Sequence, residues 1–124
     1  MNIYQENILD HYRHPRHYGA LESATKVHEE LNPMCGDRLK LYLRLSGHSL
    51  EEIQFEGEGC AISIAAASML TEMIEGKSLD ELQKLRDDDV LAEIGVPLPP
   101  ARTKCALLAI SGLRKSLSSH ETIT

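Results

Sequence analysis

The clearest pattern in the chain is a run of alternating residues near its middle. Leucine occupies every second position of residues 39–45, and Lys, Tyr and Arg lie between the leucines. Successive side chains of a strand point to opposite faces, so this run predicts a half-buried antiparallel strand. Ser46-Gly47-His48 predicts a hairpin turn, and residues 50–57 are expected to return as the next strand.

The pattern then changes from strand to helix. Residues 61–75 are rich in Ala and Met and predict a buried helix that packs closely on the sheet, with Gly76 ending it. A helix is predicted over residues 2–13, with an apolar side formed by Ile3, Tyr4, Ile8 and Tyr12, and a strand over residues 25–31. After the Ala-rich helix, three more helices are predicted: one opened by the capping box at Ser78, a short one over residues 87–94, and one last helix from Pro100 or Ala101 to about Leu117.

This order of elements predicts the fold class. Strands in one block and helices in another indicate an α+β domain. We expect a small three-stranded antiparallel sheet with helices packed on one face, an N-terminal helix and a long C-terminal helix. A chain of 124 residues suits a single domain over residues 1–124.

Charge and composition exclude several function classes. The formal net charge is −6, which argues against nucleic acid or an anionic membrane surface as a partner. The first ten residues carry no signal-peptide pattern, and no apolar run is long enough to span a bilayer. We therefore expect a cytoplasmic protein, in which thiols stay reduced and cysteines serve as ligands, nucleophiles or core residues.

Three cysteines carry the candidate chemistry. Cys35 lies in a turn two residues before Asp37, so both side chains can reach one point. Cys60 directly precedes the Ala-rich helix, and Cys105 lies in the first turns of the predicted last helix, so both are expected at electropositive helix ends that favour thiolate. If these ends converge, three thiolates and the Asp37 carboxylate form a four-ligand metal site.

Other interpretations stay open at this point. Each cysteine could be a small buried hydrophobe, which is the usual role of a lone cysteine. The histidines at 11, 14 and 17 have helical spacing, but Pro15 interrupts them, so a surface face is expected rather than a metal site. His28 is expected to be exposed on its strand. The acidic run at 87–89 is expected to be a helix start favoured by the helix dipole.

The neighbourhoods of the three cysteines together resemble the NifU-like and IscU-type iron–sulfur cluster assembly scaffolds. The matching stretches are Asn32-Pro33-x-Cys35-Gly36-Asp37, Gly57-x-Gly59-Cys60-Ala61-Ile62-Ser63 and Pro100-Ala101-Arg102-x-Lys104-Cys105-Ala106. The opening Ile8-Leu9-Asp10-His11-Tyr12 and the segment Gly76-Lys77-Ser78-Leu79-Asp80 also match. The resemblance covers nearly the whole chain.

The resemblance implies a scaffold without ordinary enzymatic turnover. Such proteins receive sulfur from a cysteine desulfurase as persulfide, combine it with iron from an iron donor, and hand a transient [2Fe–2S] cluster to a carrier or apo-protein. Matching positions make Cys35, Asp37, Cys60 and Cys105 the residues of the site, which can also hold Zn²⁺. Cys35 and Cys105 are both candidates for the first sulfur acceptor, and a homodimer sharing one cluster is compatible with three thiolates per chain.

Two departures from the IscU pattern shape these expectations. Lys104 replaces the histidine that precedes the third cysteine, as in the SufU-type branch, whose members resemble zinc-dependent sulfurtransferases. The SufU-type insertion before Cys105 is absent, so the alternative is a zinc-dependent persulfide acceptor with an IscU-like length. Leu98-Pro99-Pro100-Ala101-Arg102 also differs in its last two residues from the stretch that an Hsp70-type chaperone reads, which leaves chaperone dependence open.

Overall fold

The computed structural model describes residues 2–34 and 36–123, with side chains up to residue 118. Its strands are β1 (Lys26–Asn32), β2 (Asp37–Ser46) and β3 (Ser49–Glu58). Its helices are α1 (Ile3–Arg13), α2 (Ala61–Ile74), α3 (Leu79–Gln83), α4 (Asp87–Ile94), α5 (Pro100–Ala106) and α6 (Leu108–Ile123). The fold is therefore α+β, as predicted.

The sheet has the order β1-β2-β3, and both pairings are antiparallel. The alternating leucines of β2 point into the core as predicted, since Leu39, Leu41 and Leu43 are fully buried there with Phe55 of β3. Gly47 has a φ of +59°, the left-handed conformation that the predicted hairpin turn requires. Helices α2 and α6 cover this apolar face of the sheet.

Helix α2 is the most deeply buried helix, as the Ala-rich pattern predicts. Every residue from Ser63 to Thr71 is buried. Small side chains let this helix approach the sheet and its neighbouring helices closely. The capping box at Ser78 is also confirmed, because its hydroxyl accepts the Glu81 N–H and the Glu81 carboxylate accepts the Ser78 N–H, both at 3.1 Å.

The predicted apolar side of α1 is wrong. Ile3, Tyr4 and Tyr12 remain 75%, 48% and 43% exposed, and only Ile8 and His11 are buried. Ile8 joins the hydrophobic core, and polar contacts to α2 add to it, of which the His11 Nδ1–Ser68 Oγ hydrogen bond at 2.7 Å is buried. The prediction that His11 lies on the surface is therefore wrong as well.

Strand β1 presents polar residues to the helix layer and a mixed polar and apolar face to solvent. The buried Glu30 carboxylate accepts hydrogen bonds from Lys115 Nζ at 2.7 Å and Ser111 Oγ at 3.1 Å, and lies 2.9 Å from His28 Nε2. Val27, on the opposite face, is 53% exposed. These contacts, called the Glu30 network below, join β1 to α6. They also explain why His28 is half-buried rather than exposed as predicted.

The predicted single C-terminal helix is two helices. Leu107 separates α5 from α6 with φ −96° and ψ 2°, outside the α-helical region. Its N–H still donates to Thr103 O, and its carbonyl accepts from the Ser111 N–H, so the junction interrupts the helix without losing these two hydrogen bonds. Helix α5 packs on α2, whereas α6 packs on both α2 and the sheet. The α6 backbone continues to Ile123, past the predicted end at about Leu117.

Candidate metal centre

Three of the four predicted site residues converge at one end of the sheet. Single ligand atoms of Asp37, Cys60 and Cys105 all lie within 4.8 Å of one another. Cys35, the fourth predicted residue, lies outside the described residues. Asp37 begins β2, Cys60 follows β3, and Cys105 lies on α5, so the pairing of β2 with β3 and the packing of α5 on α2 bring them together.

Asp37 and Cys60 are joined directly by hydrogen bonds. Asp37 is buried, and its Oδ1 accepts the backbone N–H of Cys60 at 3.1 Å. Its other carboxylate oxygen lies 4.0 Å from Cys60 Sγ. Cys60 is the N-cap of α2, as predicted, so its thiol lies at the positive end of the helix dipole. The Asp37 carboxylate thus fixes the backbone that positions the Cys60 thiol.

Gly59 makes the close approach of these groups feasible. A Cβ at this position would lie 2.3 Å from Ser63 Oγ and 2.9 Å from Asp37 Oδ1. Both distances are far inside van der Waals contact, so any side chain would displace one of these polar groups. The glycine before Cys60 is therefore required by packing within the site.

The Cys60 thiol is shifted toward thiolate. Burial acts to raise its pKa, and the Asp37 charge acts in the same direction. Hydrogen bonds from the Ser63 backbone and hydroxyl and from Cys105 outweigh both, so the pKa of Cys60 lies below its ordinary value. A low thiol pKa favours both nucleophilic attack and metal binding.

Cys105 does not occupy the predicted helix N-terminus. It lies in the last turn of α5 and is buried, with 1% of its surface exposed. The expectation of an electropositive helix start at Cys105 is therefore wrong. Its position depends instead on the short α5, which begins at Pro100 after the Pro99 N-cap and ends at the Leu107 junction.

Two residues that sequence reasoning missed belong to this site. Ser63 is fully buried, and its hydroxyl donates to Cys60 O at 3.0 Å and lies 3.8 Å from Cys60 Sγ. Arg102 lies close to Cys60 and Cys105. The negative charge of their thiolates, and the hydrogen bonds that the guanidinium donates to them, raise the pKa of Arg102. The spacing of Arg102 three residues before Cys105, which places both on one side of a helix, was a usable signal.

The other candidate clusters take structural roles. The acidic run at 87–89 forms the first turn of α4, and Asp89 accepts the Arg86 N–H at 2.8 Å, as expected for a helix start. His17 Nδ1 lies 2.9 Å from Thr71 Oγ1, and His14 is exposed. Among the side chains that the structure describes, in residues 2–34 and 36–118, only Asp37, Cys60 and Cys105 form a group suited to hold a metal ion. No helix of this part of the chain has the length and apolarity that a membrane span needs.

Comparison with known proteins decides the family. Residues 3–124 match the NifU-like N terminal domain. The chain belongs to the NifU-like N-terminal domain family. This agrees with the resemblance drawn from the cysteine motifs.

The similar proteins include both SufU and IscU proteins. The chain is 38% identical to the zinc-dependent sulfurtransferase SufU of Bacillus subtilis, over 96% of this chain and 92% of that protein. It is 36% identical to the iron-sulfur cluster assembly scaffold protein IscU 1 of Archaeoglobus fulgidus, over 95% of this chain and 76% of that protein. A crystal structure from Fervidobacterium islandicum AW-1, described as a scaffold protein for the SUF system, aligns with a TM-score of 0.77 and 30% identity, covering 90% of this chain and 94% of that chain.

Proposed function

We propose that this chain is a scaffold on which an iron–sulfur cluster is assembled. It receives sulfur from a cysteine desulfurase and iron from an iron donor, builds a [2Fe–2S] cluster, and passes it to a carrier or apo-protein. The observation that carries this proposal is the convergence of Asp37, Cys60 and Cys105 within 4.8 Å. Membership of the NifU-like family and the names of the relatives support it.

The proposed ligand set is Cys35, Asp37, Cys60 and Cys105. Thiolates are the usual ligands of iron–sulfur clusters, and a carboxylate is a harder and weaker ligand for them. A weak fourth ligand suits a cluster that is cargo rather than a resident cofactor, because one bond must open for release. The proposal treats residues 1–124 as one scaffold domain in the cytoplasm, where its thiols stay reduced.

Sulfur loading is a displacement between thiols. A thiolate of the site attacks the outer sulfur of the donor persulfide, the donor's S–S bond breaks, and the donor leaves as a thiolate. The outer sulfur with its proton is now bonded to the scaffold cysteine, so the step needs no external oxidant or reductant. The lowered pKa of Cys60 supports the presence of thiolate in this site.

The second candidate function is a zinc-dependent persulfide acceptor. The 38% identity to the zinc-dependent sulfurtransferase of Bacillus subtilis favours it, as does Lys104 in the place of a ligating histidine. The donor set fits zinc, because thiolates at about 2.3 Å from a tetrahedral ion lie roughly 3.8 Å apart. Zinc held by Asp37, Cys60, Cys105 and Cys35 would keep their thiolates deprotonated.

Anaerobic reconstitution separates the two functions. The purified chain is incubated with a cysteine desulfurase, cysteine and ferrous iron, and its visible spectrum and metal content are measured. The scaffold predicts thiolate-to-iron charge-transfer bands and about two irons per cluster. A chain that retains zinc, forms no cluster, and still accelerates the desulfurase would establish the persulfide acceptor instead.

A further inference from the structure

A groove of about 360 Å³ runs between α1 and the end of β3, beside the candidate metal centre. Tyr12, Pro15, Tyr18 and Ile64 form its apolar walls, and Gly59, the neighbour of Cys60, also lines it. Tyr12 and Tyr18 are 43% and 48% exposed in a chain with only five aromatic residues. Exposed tyrosines that line a concave surface are typical of protein-binding sites.

The edge of β3 is only partly paired along this groove. The Phe55 N–H donates to His17 O, and the Gly19 N–H donates to Phe55 O, both at 2.9 Å. Two residues further on, the Gly57 N–H and carbonyl face the same side, where they contact the Tyr18 hydroxyl at 3.3 and 3.1 Å. Main-chain pairing of this edge therefore stops at Phe55. The end of β3 can accept an extended segment in place of the hydroxyl.

The lining of the groove carries a negative charge. Glu58 is its one charged lining residue, is exposed, and forms no ion pair with any described residue. A partner segment that complements the groove is therefore apolar with a basic residue.

We propose that this groove binds an extended, basic segment of the sulfur donor, which replaces the Tyr18 hydroxyl and pairs with the edge of β3 at Gly57. The segment lies between Tyr12 and Tyr18 and brings the persulfide to the Cys60 end of the site. This docking role rests on the proposed function.

The test measures affinity for the cysteine desulfurase and two routes of cluster formation. The groove variants are Tyr12→Ser and Glu58→Lys, and the matched controls are Ile3→Ser on the same helix and Glu22→Lys at an exposed position without an ion pair among the described residues. We expect both groove variants to bind the desulfurase about tenfold more weakly than the controls. Cluster formation from inorganic sulfide and ferrous iron needs no donor and should be unchanged.

Each other outcome overturns the docking proposal. Desulfurase affinity within twofold of the controls means that the groove is not the donor's site. Loss only of cluster transfer to an apo-protein assigns the groove to the acceptor, and a changed oligomeric state assigns it to a second copy of this chain.

Failure of the unmodified chain to form a cluster even from inorganic sulfide and iron would instead contradict the proposed scaffold function.

A third variant tests the strand pairing alone. Tyr18→Phe keeps the edge-to-face contact with the Phe55 ring, whose centroid is 5.2 Å away, and removes the hydroxyl from Gly57. The donor segment then no longer has to displace a hydrogen bond worth about 0.5–1.5 kcal/mol, so its affinity should rise by about two- to tenfold. Weaker binding by this variant would contradict the pairing at Gly57.

Discussion

The candidate metal centre has two halves that are built differently. Asp37 lies on β2, the central strand, and Cys60 lies at the start of α2, the most buried helix; a hydrogen bond joins them. Cys105 lies on α5, a seven-residue helix between Pro99 and the Leu107 junction. The core therefore fixes the positions of Asp37 and Cys60, whereas the position of Cys105 depends on a short helix packed against that core.

The largest expected effect is the loss of zinc affinity when the Cys60 thiolate is removed. Structural zinc sites are worth about 10–16 kcal/mol over four ligands, so Cys60→Ala should weaken zinc binding by roughly a hundredfold or more. Competition with a chromophoric chelator measures this affinity. Thr103→Ser on α5 is the control and should keep its zinc affinity. Unchanged zinc affinity in Cys60→Ala would mean that the convergence is not a metal site.

Two substitutions at Asp37 separate its role as ligand from its role in holding Cys60. Asp37→Ala removes the acceptor of the Cys60 N–H, which should lower the free energy of unfolding by about 1–3 kcal/mol. Asp37→Asn keeps an acceptor oxygen and should retain more stability, while both variants bind zinc more weakly. Urea unfolding and chelator competition give the two quantities. Equal stability of the two variants would contradict the holding role.

A change of charge on α5 should have a smaller effect, which is measured on the Cys60 thiol. Arg102→Gln removes a cation beside Cys60 and Cys105, so the pKa of the Cys60 thiol should rise. At neutral pH, alkylation of Cys60 should slow by about two- to fivefold, because exposed charges are strongly screened. Mass spectrometry of iodoacetamide-treated protein measures the rate. A rate that increases would show that Arg102 does not favour the thiolate.

The smallest effect is expected at Lys104. Its side chain is exposed and forms no ion pair with any described residue, although it is adjacent to Cys105. Lys104→Ala should therefore change stability by no more than about 0.5 kcal/mol and leave zinc affinity unchanged. Lys104→His would test whether this position can supply a ligand. Tighter zinc binding in that variant would show that this position can supply a ligand.

The two halves also differ in how much of them the sequence could predict. The alternating leucines determine the register of β2, and the change of period after Gly59 locates Cys60 at the start of α2. Leu107 carries no helix-breaking signal, since neither Gly nor Pro is present there, and the junction arises from the separate packing of α5 and α6. Tertiary packing of this kind is invisible to local patterns, so the environment of Cys105 was predicted wrongly.

The same limit applies to polar residues in buried contacts. Hydrophobic patterns treat His11 and Glu30 as surface residues, yet both are buried because hydrogen-bonding partners on other elements satisfy them. Ser63 was missed for the same reason, since its role depends on the backbone and thiol of Cys60.

The Glu30 network makes the attachment of β1 to α6 dependent on pH. Burial acts to raise the pKa of Glu30, but its hydrogen bonds from Lys115, His28 and Ser111 outweigh this and hold the pKa below its ordinary value of 4.5. A carboxyl group with a depressed pKa stabilises the folded state above its unfolded pKa, and this stability is lost as the pH falls through the folded pKa. Below pH 4.5, therefore, acid weakens the joint between the edge strand and the C-terminal helix, while the leucine core beneath it carries no charge to titrate.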